Sequence, residues 1–266
     1  MAEFLIYEQA GAVVTLTLNS PDTRNALSHP EQYQQIIDAC ERINLDTSVG
    51  AVILTGAGSC FCAGGNVKDM KEQSGMFSGD PLAIADKYRH GIQKIPLALY
   101  NLEAPTIAAV NGPAIGAGCD LTLMCDIRIA SEKAKFAESF VQLGIVPGDG
   151  GAWLLQRAVG LSKAHEMAFT GDTITAEEAL DCGLVSKVVA PDELMAEAQE
   201  MAARIVKNPS RTLRLSKKLM REGMHVRLDT LLEMSAAFQA IAHKTDEHLE
   251  QLNKISLGRE DNRGKK

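Results

Sequence analysis

Short apolar runs, interrupted by glycine, proline and polar turns, fill roughly the first 150 residues, and helically spaced apolar positions fill the rest. Phe4-Leu5-Ile6-Tyr7 and Val13–Leu18 predict a hairpin turned at Ala10-Gly11, which Asn19-Ser20-Pro21-Asp22 ends. A helix is expected from Pro30 to Ile43, with Tyr33, Ile36, Ile37 and Cys40 on one face. Ala51–Thr55 is short and wholly apolar, as a buried parallel strand is. Lys71 to Pro81 is polar and lacks a period, so a mobile loop is expected there, followed by a helix over Ala83–Tyr100. Thr106–Val110, Ile127–Ala130 and Lys135–Ala137 read as further strands. This alternation of strand, turn and helix predicts βαβ crossovers and a mainly parallel sheet, an α/β fold.

From Gly151 the pattern turns helical: Ala152–Val159, Lys163–Phe169 and Ala176–Asp181, then one last strand, Ser186–Val189. Thr175 and Glu178 have the spacing of a capping box. Pro191–Val206, Ser210–Arg221 and Leu228–Gln251 complete a helical appendage suited to subunit contact, and the charged stretch Gly258–Lys266 is expected to fray. The division expected is a core over residues 1–195 and a helical oligomerisation region over 196–266.

Composition narrows the class. A net charge of −7 disfavours a general nucleic-acid partner. No apolar run is long enough to span a membrane, and no secretory signal is visible, so a cytoplasmic protein is expected. The six cysteines form no Cys-x-x-Cys pair and the six histidines show no metal-like spacing, so no metal is expected.

Two glycine-rich turns follow apolar strands: Gly56-Ala57-Gly58 leading to Phe61–Lys68, and Asn111-Gly112-Pro113 leading to Gly116-Ala117-Gly118-Cys119-Asp120. Glycine at this density costs backbone entropy and marks unusual torsions or close approach. Two such turns can present two peptide N–H groups to an oxygen that gains negative charge.

With Asn25-Ala26-Leu27, Phe61-Cys62-Ala63-Gly64-Gly65-Asn66-Val67-Lys68, Ala108–Leu121, Cys125–Ala130, Leu143-Gly144-Ile145-Val146-Pro147, Thr170-Gly171-Asp172 and Ala179–Val185 in this order, the chain resembles the crotonase (enoyl-CoA hydratase/isomerase) superfamily over about residues 5–250. The resemblance implies a β-β-α spiral core, a C-terminal helical trimerisation region, a homotrimer or hexamer, and acyl-CoA thioester substrates, with CoA part of the substrate and no separate cofactor. It places an oxyanion hole at the N–H groups of Gly65 and Ala117. It places CoA contacts at Arg24, Ala26, Ala63, Gly65, Val67 and Lys68, with Arg24 and Lys68 available to phosphates.

The chain departs from the hydratases of that family, which use two glutamates to activate one water. The first falls on Asp120, the second on Phe140, which cannot exchange a proton. Glu138 lies two residues earlier and is expected to substitute only if the loop is re-registered. Some relatives carry an aspartate four residues beyond the equivalent of Gly144; here that position is Gly148, and Asp149 follows it. Asp120, Asp149 or Glu138 is left as the acid/base group, with apolar surroundings from Phe140 and Trp153 expected to raise its pKa. Losing half of the water-activating pair tilts the expectation towards double-bond isomerisation. Hydration of a 2-enoyl-CoA is the alternative, and a non-catalytic acyl-CoA or partner-binding protein the reading from another class. A dinucleotide fold is disfavoured because Gly116-x-Gly118-x-x-Leu121 lacks the third glycine.

Overall fold

The computed structural model describes residues 3–263, with side chains through residue 254. β1 (Leu5–Ala10) and β2 (Val13–Leu18) form the antiparallel hairpin, in which Val14, Leu16 and Leu18 are buried and the residues between them are half-buried. α1 (Pro30–Leu45) starts on a proline, tolerated where the N–H has no partner, and buries Tyr33, Ile36, Ala39, Cys40 and Ile43 at helical spacing. β3 (Ala51–Gly56) is followed by α2 (Val67–Glu72), α3 (Pro81–His90) and α4 (Lys94–Tyr100). Then come β4 (Thr106–Val110), β5 (Ala114–Ile115), α5 (Ala117–Leu123), β6 (Ile127–Ser131) and β7 (Lys135–Ala137). α6 (Gly151–Thr170), β8 (Ile174–Thr175), α7 (Ala176–Asp181) and β9 (Lys187–Val189) lead to α8 (Leu194–Val206), α9 (Ser210–Glu222), α10 (Leu228–Ala242) and α11 (Asp246–Arg263).

The large sheet has the order β1-β2-β3-β4-β6-β9 and is parallel from β2 onward. A small sheet has the order β5-β7-β8, and Cys62 adds a parallel bridge to Ala114 at its edge. Each circuit of the chain lays one strand in the large sheet and one in the small sheet, and then forms a helix. β4-β5-α5 and β6-β7-α6 are two such circuits, and β3, Cys62 and α2 make a shorter one. This is the β-β-α spiral. α8 covers one face of the large sheet, packing Leu194, Ala198 and Ala202 on Ile53, Ile107, Ala109 and Ile129. The other face and the spiral's interior form the main core around Leu16, Ile36, Leu54, Phe61, Val110 and Phe136.

Three expectations are corrected. The stretch expected as a loop over Lys71–Pro81 contains the end of α2 and a 3-10 turn at Gly75–Phe77, tied down by the Lys87 ammonium on the Gly75 carbonyl (3.0 Å) and the Ser78 carbonyl (2.7 Å). The helix expected over Ala83–Tyr100 is two helices, because Pro96 lacks an N–H and is accommodated only in a first turn, so α4 restarts just before it. The helix expected over Leu228–Gln251 breaks at His243–Thr245, where the Thr245 hydroxyl accepts the His248 N–H (3.3 Å) as a cap for α11. Elsewhere the Thr175–Glu178 capping box is present. The stretch expected to fray is helical in backbone through Arg263, and residues 264–266 lie outside the described residues.

Buried cations hold α9 against the core. The Arg214 guanidinium donates to the carbonyls of Ile43 (3.0 Å), Asp46 (2.8 Å) and Val49 (3.3 Å) and to the Glu103 carboxylate (3.0 Å). It thereby satisfies carbonyls that the end of α1 leaves without helical partners. The Lys217 ammonium donates to the Ala104 carbonyl (2.8 Å) and pairs with Asp126 (2.6 Å), although burial lowers its pKa to about 8. Replacing Arg214 by Met strips several buried carbonyls of their donor, so Arg214→Met is expected to cost about 2–4 kcal/mol in urea unfolding. A cost below about 0.5 kcal/mol would show that water replaces the guanidinium freely.

Candidate active site

The two glycine turns lie directly against one another. The N–H groups of Phe61 and Cys62 donate to the Pro113 carbonyl (3.1 and 3.2 Å), and the Ile115 N–H returns to the Cys62 carbonyl (3.0 Å). Side chains at two positions would prevent this. A Cβ on Gly64, whose φ is +83°, would stand 2.5 Å from the Ile115 oxygen, and one on Gly118 would strike the Cys62 carbonyl. Gly116 then turns the chain into α5, making Ala117 its first residue, whose N–H has no helical acceptor. Neither the Gly65 nor the Ala117 N–H donates to a protein acceptor among the described residues. One unpartnered amide from each turn thus lies where the turns meet, the Ala117 nitrogen being 3.4 Å from where a Gly64 Cβ would stand.

The candidate CoA residues are gathered beside the first turn. The Ala63 N–H donates to the Arg24 carbonyl (3.0 Å) and the Leu27 N–H to the Gly64 carbonyl (2.8 Å), so residues 24–27 run alongside 63–65. Ala26 is buried, whereas Arg24, Val67 and Lys68 are exposed, Lys68 standing 4.0 Å from Glu72. Asn25 pins this arrangement: its buried side-chain amide donates to the carbonyls of Ala57, Cys60 and Phe61 (3.0, 2.8 and 3.2 Å), and its oxygen accepts the Ser20 N–H (2.8 Å). Sequence reasoning treated Asn25 only as part of a motif. A polar residue before two apolar ones gives no sign that it will become a buried hub.

Three carboxyls meet in the interior. Asp120 sits in the first turn of α5, Glu138 just after β7, and Asp149 in the turn that starts α6; their exposures are 0, 1 and 5 %. Gly151, the first residue of α6, makes room for them: a Cβ there would collide with the Asp120 Oδ1 and come within 2.9 Å of the Glu138 Oε2. Both oxygens of Asp120, both of Glu138 and the Oδ1 of Asp149 are buried without a hydrogen-bond partner of good geometry. Burial raises all three groups, Asp149 to about 6 and Glu138 to about 7. Asp120 rises well above the carboxylate range, through burial first and then the neighbouring charges of Glu138 and Asp149. No cation is among the groups that act on them. The Asp120–Glu138 pair therefore shares a proton at neutral pH rather than carrying two charges.

Glu138 is the residue whose placement departs from the expectation. No re-registration of the strand is needed: the Phe136–Glu138 alternation turns Glu138 inward, and the 3-10 turn at Ser139–Leu143 sends Phe140 to the edge of the second glycine turn, its ring 3.7 Å from where a Gly116 Cβ would stand. Trp153 stacks on His225 and stands edge-on to Tyr100. Asp126 and Arg128 make structural contacts, Asp126 with Thr106 and Lys217, Arg128 with the Cys125 and Leu184 carbonyls.

The sequence profile described as Enoyl-CoA hydratase/isomerase matches residues 8–254. The chain is 42 % identical over 229 residues to a short-chain-enoyl-CoA hydratase of Clostridium acetobutylicum, covering 86 % of this chain and 85 % of that one. It is 34 % identical to a 1,2-epoxyphenylacetyl-CoA isomerase of Escherichia coli, covering 94 % of both. Its fold superposes on the crystal structure of an enoyl-CoA hydratase from Bacillus anthracis with a TM-score of 0.89 at 31 % identity, covering 96 % of this chain and 97 % of that one.

The carboxyl cluster makes stability depend on pH. Unfolded, these groups titrate near 4; folded, they hold their protons to higher pH. The native state binds more protons between about pH 4 and 7, so the cluster's contribution is present below that window and is lost as pH rises through it. Asp149→Asn removes one such group and is expected to stabilise the protein by about 1–3 kcal/mol at pH 8, with little effect at pH 4. Urea unfolding at the two pH values measures this, and an equal change at both would contradict the raised pKa.

Proposed function

The chain belongs to the enoyl-CoA hydratase/isomerase family, an enzyme family, and from that premise we propose that it moves a double bond along an enoyl-CoA by carbon-to-carbon proton transfer. In this reading the thioester oxygen lies between the Gly65 and Ala117 amides. Asp149 takes the proton from the carbon next to the thioester carbonyl, the electron pair moves into an enolate that the two amides stabilise, and the proton returns at the γ-carbon. Residues 24–26, Ala63, Val67 and Lys68 hold the CoA portion. The observation that carries the reading is Asp149 itself: buried, raised to about 6, and with an oxygen free of internal partners. Such a carboxylate is still ionised at neutral pH but is a stronger base than an exposed one.

A second reading, hydration of a 2-enoyl-CoA, is favoured by Glu138 standing beside Asp120. Two carboxyls with one proton can take a proton from water as it adds to the β-carbon and deliver one to the α-carbon. The names of relatives such as the crotonyl-CoA hydratase of Syntrophomonas wolfei, 37 % identical over 93 % of both chains, lean the same way. Assembly into a trimer or dimer of trimers through residues 196–266 fits α10, none of whose residues is buried within the single chain. Among the described residues no helix is long and apolar enough to cross a membrane.

The readings separate when a 3-enoyl-CoA and a 2-enoyl-CoA are offered in parallel. Double-bond migration should lose roughly a hundredfold or more in kcat on Asp149→Asn, and its kcat/KM should rise through about pH 6 in the parent protein only. Hydration that survives Asp149→Asn and disappears in Glu138→Gln would establish the second reading instead.

A further inference from the structure

A cavity of about 420 Å³ has Gly148 and Gly150, the chain neighbours of Asp149, at one end. Pro96, Leu97, Trp153 and Leu154 give it apolar walls, and it reaches Tyr100. The Tyr100 ring stands edge-on to Trp153 at 5.3 Å, and its hydroxyl is buried with no hydrogen-bond partner among the described residues. A buried hydroxyl left unmade is costly, so native structures rarely keep one without a ligand or water to receive it. The surroundings state what kind of ligand. An adjoining cavity of about 460 Å³ shares Tyr100, Trp153 and Leu154 and holds Arg128, Arg157, Lys217 and Arg221 against the single carboxylate of Asp126. Arg221 lies 4.4 Å over the Tyr100 ring and Arg157 lies 3.8 Å over the Trp153 ring, so two cations back the aromatic pair that closes the first cavity.

We propose that the protein takes an acyl-CoA whose chain ends in a carboxylate, received at its far end by the Tyr100 hydroxyl in the field of Arg157 and Arg221. This rests on the reading that the reacting carbons lie at Asp149, whose neighbours Gly148 and Gly150 form the end of the cavity away from Tyr100 in the chain. The hydroxyl donates one hydrogen bond to a carboxylate oxygen, a charge-assisted bond to an acceptor-only group. A plain alkyl end would leave the hydroxyl as it is, orphaned.

The test needs no turnover. Hexanoyl-CoA and adipoyl-CoA, a saturated six-carbon thioester and its counterpart with a terminal carboxylate, are titrated calorimetrically into the full-length protein and into Tyr100→Phe. Adipoyl-CoA should bind roughly tenfold tighter to the parent protein, and Tyr100→Phe should bring the ratio close to one. Because the hydroxyl has no internal partner, Tyr100→Phe should melt no lower than the parent, which keeps misfolding out of the comparison. Equal or weaker binding of adipoyl-CoA, or a preference that Tyr100→Phe leaves intact, overturns the proposal. A preference that is lost in Tyr100→Phe, in a protein that neither isomerises nor hydrates enoyl-CoA, would uphold it and defeat the proposed reaction instead.

Discussion

Everything at the site follows from backbone meeting backbone where residues 61–65 touch 113–118. Main-chain contact this close excludes side chains, so Gly64 and Gly118 are required by the space available. The same contact completes the spiral, because Cys62 joins the edge of the small sheet at Ala114. It also leaves the Gly65 and Ala117 amides without acceptors among the described residues. Fold closure and the two free amides therefore draw on one piece of geometry. A substitution that relaxed it would disturb both.

The second constraint is electrostatic. Gathering Asp120, Glu138 and Asp149 in the interior is unfavourable, since burial and their mutual repulsion both penalise the charged forms. The surrounding fold offsets that cost through two apolar cores and through Arg214 and Lys217, which bind α9 to the end of α1 and to Ala104 just before β4. The three carboxyls thus stand in one cluster, while Arg214 and Lys217 each reach a carboxylate and a backbone carbonyl.

The cavity next to Gly148 and Gly150 draws its walls from two regions of the chain. The two turns and the carboxyls belong to the spiral, whereas Pro96, Leu97 and Tyr100 come from α4, in the segment between β3 and β4 where the spiral imposes no strand. Length and composition there can change without moving the amides. Trp153 and Leu154, on the first turn of α6, join the two regions.

The sequence by itself determined the strands of the large sheet, the two glycine turns and the family, because these rest on local signals: apolar runs, glycine and turn residues, all of which act within a few positions of themselves. Asp120 and Asp149 were legible as candidates for the same reason, each being attached to a recognisable turn. Tertiary structure alone decided that Glu138 joins Asp120, since the inward direction of one side chain after β7 depends on how β7 pairs with β5 and β8. It alone decided that Asn25 becomes a hub for three carbonyls, and that the Tyr100 hydroxyl is buried without a hydrogen-bond partner among the described residues. The breaks at Gly91–Gln93 and His243–Thr245 also lay beyond periodicity, which sums over a window and passes over a single proline or a capping threonine. Burial and partnership are properties of residues far apart in sequence, and no local pattern encodes them.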